Sequence, residues 1–377
     1  MTVLRAVGLM SGTSMDGIDV AALETDGETF SITGPSLSVA YDAAFRKRIE
    51  AGLETAKTIV SRDERPGDLA ELERELTLRH AQAVRDFLEI AGPQWQHPDI
   101  IGFHGQTVLH RPQHGLTVQL GDGALLASET GFDVVHDMRA NDMRHGGQGA
   151  PLVPAYHAAR ARSLAPEFAA GFPIVFVNIG GISNITYVPR DGDPMAFDTG
   201  PGNGLIDQWV SREGGVAFDA DGAIASKGVA DRALVARYLD NSFFAKAPPK
   251  SLDRSDFTLA IMQDVSLADG ARTLAAVSAQ AILKSIDHLP GRPTLWILCG
   301  GGRKNPHIVG DLRAGAMAHD AKVVVAEDVG LDGDATEAEA WAFLAVRSLK
   351  SLPLTFPGTT GCEFPVTGGV LNKAKGA

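Results

Sequence analysis

The chain has 377 residues, 44% hydrophobic and 21% charged, with a formal net charge of -12 and two cysteines. No apolar run approaches the ~20 residues that a bilayer span needs. Cys299 and Cys362 lack CxxC spacing and cannot build a disulfide framework, and the acidic balance argues against a nucleic-acid footprint. The first five residues run straight into a strand pattern without the regions of a secretory signal, which points to the cytoplasm. At this length two lobes with a cleft between them are expected.

Residues 4–10 and 18–23 alternate apolar and small or polar positions and predict an antiparallel pair, with 30–40 as a third strand. Helical spacing follows over 43–53 and 68–90. "DIIGFHGQTVLH" (99–110) predicts a strand that breaks at Gly105, and "LTVQLGDGALLASETG" a strand, a turn and a helix. This alternation favours α/β. From residue 172 the opening pattern returns: "FPIVFVNIGGISNITYV" is again strand, polar glycine turn and strand, as a structural repeat would give. Strands over 294–298 and 322–325 and a helix over 335–349 complete the pattern. The expected domains are 1–168 and 169–377, the final helix being free to pack back on the first.

The first turn, Ser11, Gly12, Thr13 and Ser14, offers backbone amides and hydroxyls to an anion such as a phosphoryl group. Asp16 and Asp19 would repel bare phosphate, but suit a divalent cation reached through water. With Gly17 this is a candidate nucleotide and metal site. It is not a P-loop, since GxxxxGK[ST] is absent. In "NIGGISN", Asn178, Gly180 and Gly181 form a second such turn. "CGGGRKN" places Gly300, Gly301, Gly302 and Asn305 after a buried-looking strand, where adenine or ribose can lie against backbone.

"GLMSGTSMDGID", "GFHGQTVLH", "VQLGDGALLA", "DMRANDMRHGGQGAPLVPAYH", "NIGGISNIT", "FDTGPGNGLID", "PPKSLDRSDF" and "CGGGRKN" resemble, in this order, the motifs of the anhydro-N-acetylmuramic acid kinases. The resemblance implies the duplicated ribonuclease H-like fold of the actin, hexokinase and heat-shock ATPase superfamily, closing over ATP in a central cleft. It also implies ATP and Mg²⁺ as cofactors, and a homodimer is expected. The implied reaction uses water to open the internal ether of a 1,6-anhydro amino sugar while its 6-oxygen is phosphorylated, in cell-wall recycling.

Asp198 matches the family's catalytic aspartate, taking a proton from the attacking water; the competing role is a cap on the following helix. His104, Gly105, Gln106 and Thr107 are expected at the sugar. Arg139 is the expected counter-ion of its lactyl carboxylate, or else the salt-bridge partner of Asp142. Glu337 matches an acid facing the cleft, or is an exposed first-turn residue. Lys250, Arg254 and Arg303 receive no role. Two alternatives stay open, an ordinary sugar kinase of the same fold and a non-catalytic nucleotide-switched binding protein.

Overall fold

In the computed structural model, which describes residues 2–12, 14–164, 168, 171–252 and 256–374, the opening alternation becomes β1 (Leu4–Ser11) and β2 (Gly17–Thr25). They pair antiparallel from Leu4 opposite Thr25 to Met10 opposite Asp19. β3 (Ser31–Ala40) continues the meander, and β4 (Ile100–Arg111) lies parallel to β1 on its other side. β5 (Leu116–Leu120) pairs antiparallel with β4, and β6 (Val134–His136) parallel to it. The expected break in β4 is a bulge instead. Gly105 has φ +72°, and the strand continues because β5 passes so close that any Cβ there would overlap the Leu120 carbonyl oxygen.

The helices α1 (Ala43–Ala56) and α2 (Leu69–Ile90) bury apolar stripes at Phe45, Ile49, Leu72, Leu76 and Val84. α3 (Gly123–Thr130), α4 (Ala140–Arg144) and α5 (Pro154–Arg162) follow.

A second sheet repeats the pattern. β7 (Ile174–Ile179), β8 (Ile182–Val188) and β9 (Met195–Pro201) form an antiparallel meander, and β10 (Leu295–Cys299) and β11 (Lys322–Val325) add in parallel beyond β7. Both sheets therefore contain one topology, third-second-first-fourth-fifth: β3-β2-β1-β4-β6 in one and β9-β8-β7-β10-β11 in the other. The duplicated α/β fold expected from the sequence is present. Around the second sheet lie α6 (Gly204–Gly214), α7 (Arg232–Leu239), α8 (Leu267–Leu283) and α9 (Pro306–Met317). Their core includes Trp209, Leu274, Ile282, Trp296 and Ile308.

Contacts group Met1–Ser163 with Ala335–Ala377 in one unit and Leu164–Asp334 in another. The final helix packs back on the first unit, the option the sequence reading left open, and carries 335–377 with it. That helix is α10 (Thr336–Leu349), whose residues 340–346 are all buried, between the first sheet on one side and α5 on another. Gly8 of β1 and Gly102 of β4 supply the bare surface it needs. A Cβ on either would overlap a carbonyl oxygen of the helix, from Ala338 or Trp341 respectively. At Gly8 it would also lie 2.6 Å from the Ala342 nitrogen.

Because those atoms are backbone, Gly8→Ala forces the helix off the sheet. Overpacking typically costs ~1–3 kcal/mol, and the expected result is a loss at or above the top of that range. The midpoint of urea denaturation measures it.

Candidate functional site

Thr13 lies outside the described residues; the rest of the first hairpin divides into parts that support it and parts left open. The Ser11 hydroxyl is fully buried, donates to Gln106 Oε1 at 2.6 Å and sits 2.8 Å from the Tyr41 hydroxyl. Gln106 Nε2 donates in turn to the Gly12 carbonyl at 3.1 Å. Ser11 and Gln106, expected at ATP and at sugar, are thereby committed to holding the turn. Gly17 has a packing reason of its own, since a Cβ there would lie 2.5 Å from the Val39 carbonyl oxygen on β3.

Gly12 is different. A Cβ there would meet nothing nearer than Ser14 Oγ at 3.4 Å, so the space above its backbone is open to a ligand. Exposed Ser14 donates to Asp16 Oδ1 at 2.6 Å, and Ser38 to Asp19 Oδ1 at 2.5 Å. Both acids lie within electrostatic reach of Tyr41 and Glu337. Two carboxylates, with waters and phosphate oxygens to complete the shell, are the donor set that Mg²⁺ takes.

At the far side of β1 the structure joins His104, Arg139 and Trp341. Arg139 lies at the head of α4 and donates through Nη1 to the Gly149 carbonyl at 2.8 Å. Its Nη2 and Nε approach His104 Nε2 at 3.1 and 3.4 Å. Since a guanidinium only donates, Nε2 must accept. Burial, and then the charge of Arg139, hold His104 well below the usual imidazole range, so the ring is neutral with its proton on Nδ1. His104 orients Arg139 and is no general acid.

Trp341 completes the group, its ring centre 4.5 Å from that of His104 and 5.1 Å from the Arg139 guanidinium carbon. Burial pushes Arg139 down to about 10, which leaves it charged at neutral pH. The alternative of a salt bridge to Asp142 does not form. The Asp142 carboxylate is buried and taken by Gly149 N at 2.6 Å and the Thr355 and Thr360 hydroxyls at 2.5 and 2.7 Å. Arg139 has no carboxylate partner among the described residues, and two of its five N–H groups remain for a ligand. Exposed Glu337 at the start of α10 lies within its field. Thr107 Oγ1 reaches His104 Nε2 at 3.4 Å.

In the second unit the carbonyls of Gly180 and Gly181 are occupied by amides of Asn203, Gly202 and Gly204, at 2.7 to 3.1 Å. Gly181 has nothing within 4 Å of where a Cβ would stand. Asn178 packs its Oδ1 where a Gly300 Cβ would be, and Gly302 is needed for contact with Ile179. Only Gly301 of the three faces open space, with Asn203 Nδ2 nearest at 3.8 Å. It lines a cavity of about 440 Å³ together with Asn203, Asp207, Phe218, Lys304 and Asn305. Asn305 also caps α9, accepting from His307 N at 3.0 Å. Arg303 is buried against Glu327 and Asp334, which explains its place in the motif without a ligand.

Asp198 sits in β9 at a bulge. Asn184 opposes Asp198 and Ser183 opposes Gly200, so Thr199 is the extra residue, and bulges of this kind re-aim side chains. The carboxylate is half-buried and Oδ2 accepts from Leu252 N at 2.8 Å. Burial raises it to about 6, against the pull of that one hydrogen bond. A capping role is excluded by position, because α6 begins at Gly204 with Asn203 as its N-cap.

The family model for anhydro-N-acetylmuramic acid kinase matches residues 4–374. The chain belongs to this family. Relatives bearing the same name include one from Brucella canis, 59% identical over 97% of this chain and 98% of its own, and one from Rhizobium etli, 58% identical over 98% and 99%. A ROK family glucokinase from Streptomyces griseus, solved in complex with glucose and AMPPNP, matches 90% of this chain and 99% of its own, with TM-score 0.40 and 13% identity. The protein is accordingly a kinase of this family. Among the described residues no helix is long and apolar enough to cross a membrane.

Three features of this anhydro-N-acetylmuramic acid kinase escaped the sequence reading. Trp341 was hidden in an apolar helix pattern. Asp207 and Asn203, four apart on one helical face, were inside a quoted motif and legible by spacing. Asp207, raised to about 6 by burial and by the charge of Asp219, faces the cavity. Phe218, 63% exposed beside it, carried no signal.

The carboxyl of Asp198 binds its proton more tightly folded than unfolded, so its ionisation costs stability as pH rises from 3.8 to about 6. Asp198→Asn abolishes that cost. Relative to parent, the variant should gain stability between pH 4 and 7 by on the order of 3 kcal/mol. Denaturation midpoints across that range check the sign.

Proposed function

We propose that Asp198 is the general base for the water that attacks the anomeric carbon, and that the other residues bind and orient the two substrates. One observation carries this assignment: a carboxylate at a strand bulge that, among the described residues, has no cationic partner and one backbone N–H, and is poised near pH 6. In the step so assigned, water oxygen bonds to the anomeric carbon and its proton passes to Asp198. The bond from that carbon to the 6-oxygen breaks, and the freed oxygen attacks the γ-phosphorus of ATP as ADP leaves.

Nucleoside binding is assigned to the cavity beside Gly301, with Phe218 for the base and Asp207 or Asn203 for ribose hydroxyls. Phosphate contact falls to the amides around Gly12 and Gly180–Gly181, with Ser14 beside the former. Asp16 and Asp19 would hold Mg²⁺, through water, which when bound neutralises charge on the phosphates. Arg139 is assigned to the lactyl carboxylate, with His104 fixing its plane. Thr107 and Glu337 are assigned to the sugar's polar groups. Cytoplasmic location and a homodimer belong to the same reading, supported by the family resemblance.

The reaction is tested with ATP, Mg²⁺, the anhydro sugar and ¹⁸O-water. Label at the anomeric carbon of the 6-phosphate is expected; its absence would favour an ordinary sugar kinase. Asp198→Asn should lose about 10²–10⁴ in kcat, while calorimetric affinities for both substrates hold. In the parent, kcat should fall as pH drops below about 6. Near-parental turnover in the variant defeats the assignment.

Arg139→Lys should raise KM for the sugar more than KM for ATP, since an ammonium lacks the planar fork and cannot satisfy both Gly149 O and His104 Nε2. Equal effects on both substrates would place Arg139 in a structural role.

A further inference from the structure

β9 is an edge strand, paired only with β8, so its outward backbone groups need partners from elsewhere. Residues 249–252 supply them at one point. Asp198 N donates to the Lys250 carbonyl at 3.0 Å, and two residues later Leu252 N donates to Asp198 Oδ2 at 2.8 Å. One short stretch therefore fixes both the backbone and the carboxylate of the same residue.

That stretch is itself anchored by a buried cation. Lys250 is 8% exposed, and its Nζ lies 3.2 Å from the Phe243 carbonyl, 3.3 Å from that of Phe244 and 3.2 Å from His288 Nε2. His288 Nε2 is also 2.7 Å from the Phe244 carbonyl. The ammonium stands 4.7 and 5.7 Å from the ring centres of Phe243 and Phe197. No carboxylate is among these partners, and burial followed by the like charges of Lys246 and Lys284 pushes the group down to about 8. A basic side chain in a kinase motif invites assignment to phosphate. Here its N–H groups meet the two carbonyls of Phe243 and Phe244, while His288 Nε2, next to the same ammonium, donates to the Phe244 carbonyl and is not an acceptor for it.

We propose that Lys250 is a positioning residue: by tying residues 249–252 to the carbonyls of Phe243 and Phe244, it holds the Leu252 N–H on the Asp198 carboxylate and so aims the base. This rests on the reading of Asp198 given above.

Lys250→Met keeps the stem against Phe197 and Phe243 and removes the N–H donors. The expected outcome is a loss of about 10²-fold in kcat, the scale of an ångström's misplacement of a reacting group, with both KM values within about threefold. The acid limb of the kcat profile should move to higher pH, because a weakened hydrogen bond no longer favours the carboxylate form. A merely structural lysine would leave that limb in place.

In an Asp198→Asn background the same substitution should change kcat by less than about threefold, since it acts only through the base. Losses that multiply independently overturn the proposal while leaving the base intact. Near-parental kcat in Asp198→Asn alone overturns the base and this inference with it. Should Lys250→Met fail to fold, Lys250→Arg keeps the cation but not the fit to the two carbonyls, and enters the same cycle with the same criterion.

Discussion

Much of the first unit depends on one steric constraint: α10 lies directly on the backbones of β1 and β4, at Gly8 and Gly102, with no side chain between. That approach places Trp341 against His104 and Arg139, and Glu337 in the field of the same guanidinium. The helix comes from the far end of the chain, yet it packs against the group formed by His104 and Arg139. Two glycines thereby determine where Trp341 and Glu337 stand relative to His104 and Arg139.

A second theme is the use of hydrogen bonds to free a residue by occupying its neighbour. Asp142 is saturated by an amide and two threonine hydroxyls, and so does not neutralise Arg139 three residues earlier. Ser11 and Gln106 bind one another and the Gly12 carbonyl, which leaves the open side of Gly12 for a ligand. His104 accepts from Arg139 and cannot carry charge beside it. Each arrangement suits recognition of an anion by a charge kept unpaired until the anion arrives.

The two sheets share a topology but present different chemistry at corresponding places. The β1–β2 hairpin carries acids, Asp16 in its turn and Asp19 early in β2, while the β7–β8 hairpin turns through Gly180 and Gly181 with Asn178 and Asn184 on its strands. A duplicated scaffold thus carries acidic side chains in one copy and neutral ones, with bare backbone, in the other. The one acid on the strands of the second copy's meander, Asp198, is carried at a bulge on the edge strand, where burial can raise its proton affinity without a competing charge.

The sequence by itself determined most of the strands, the restart at residue 172, both glycine turns and the candidate acid at 198, because hydrophobic period and turn chemistry are local properties, while the short β6 carried too few residues for a period to show. Family motifs added which residues face ligands in general. Only the tertiary structure decided the rest. It showed that Gly17, Gly105, Gly300 and Gly302 are required by neighbouring backbone or side chains, and that Ser11 and Gln106 hold a turn. It also returned residues 335–377 to the first unit and gave Lys250 a partner set. These outcomes rest on contacts between residues tens or hundreds of positions apart. A glycine that admits a ligand and one that admits a helix look the same in sequence, since both are defined by what occupies the space where a Cβ would be.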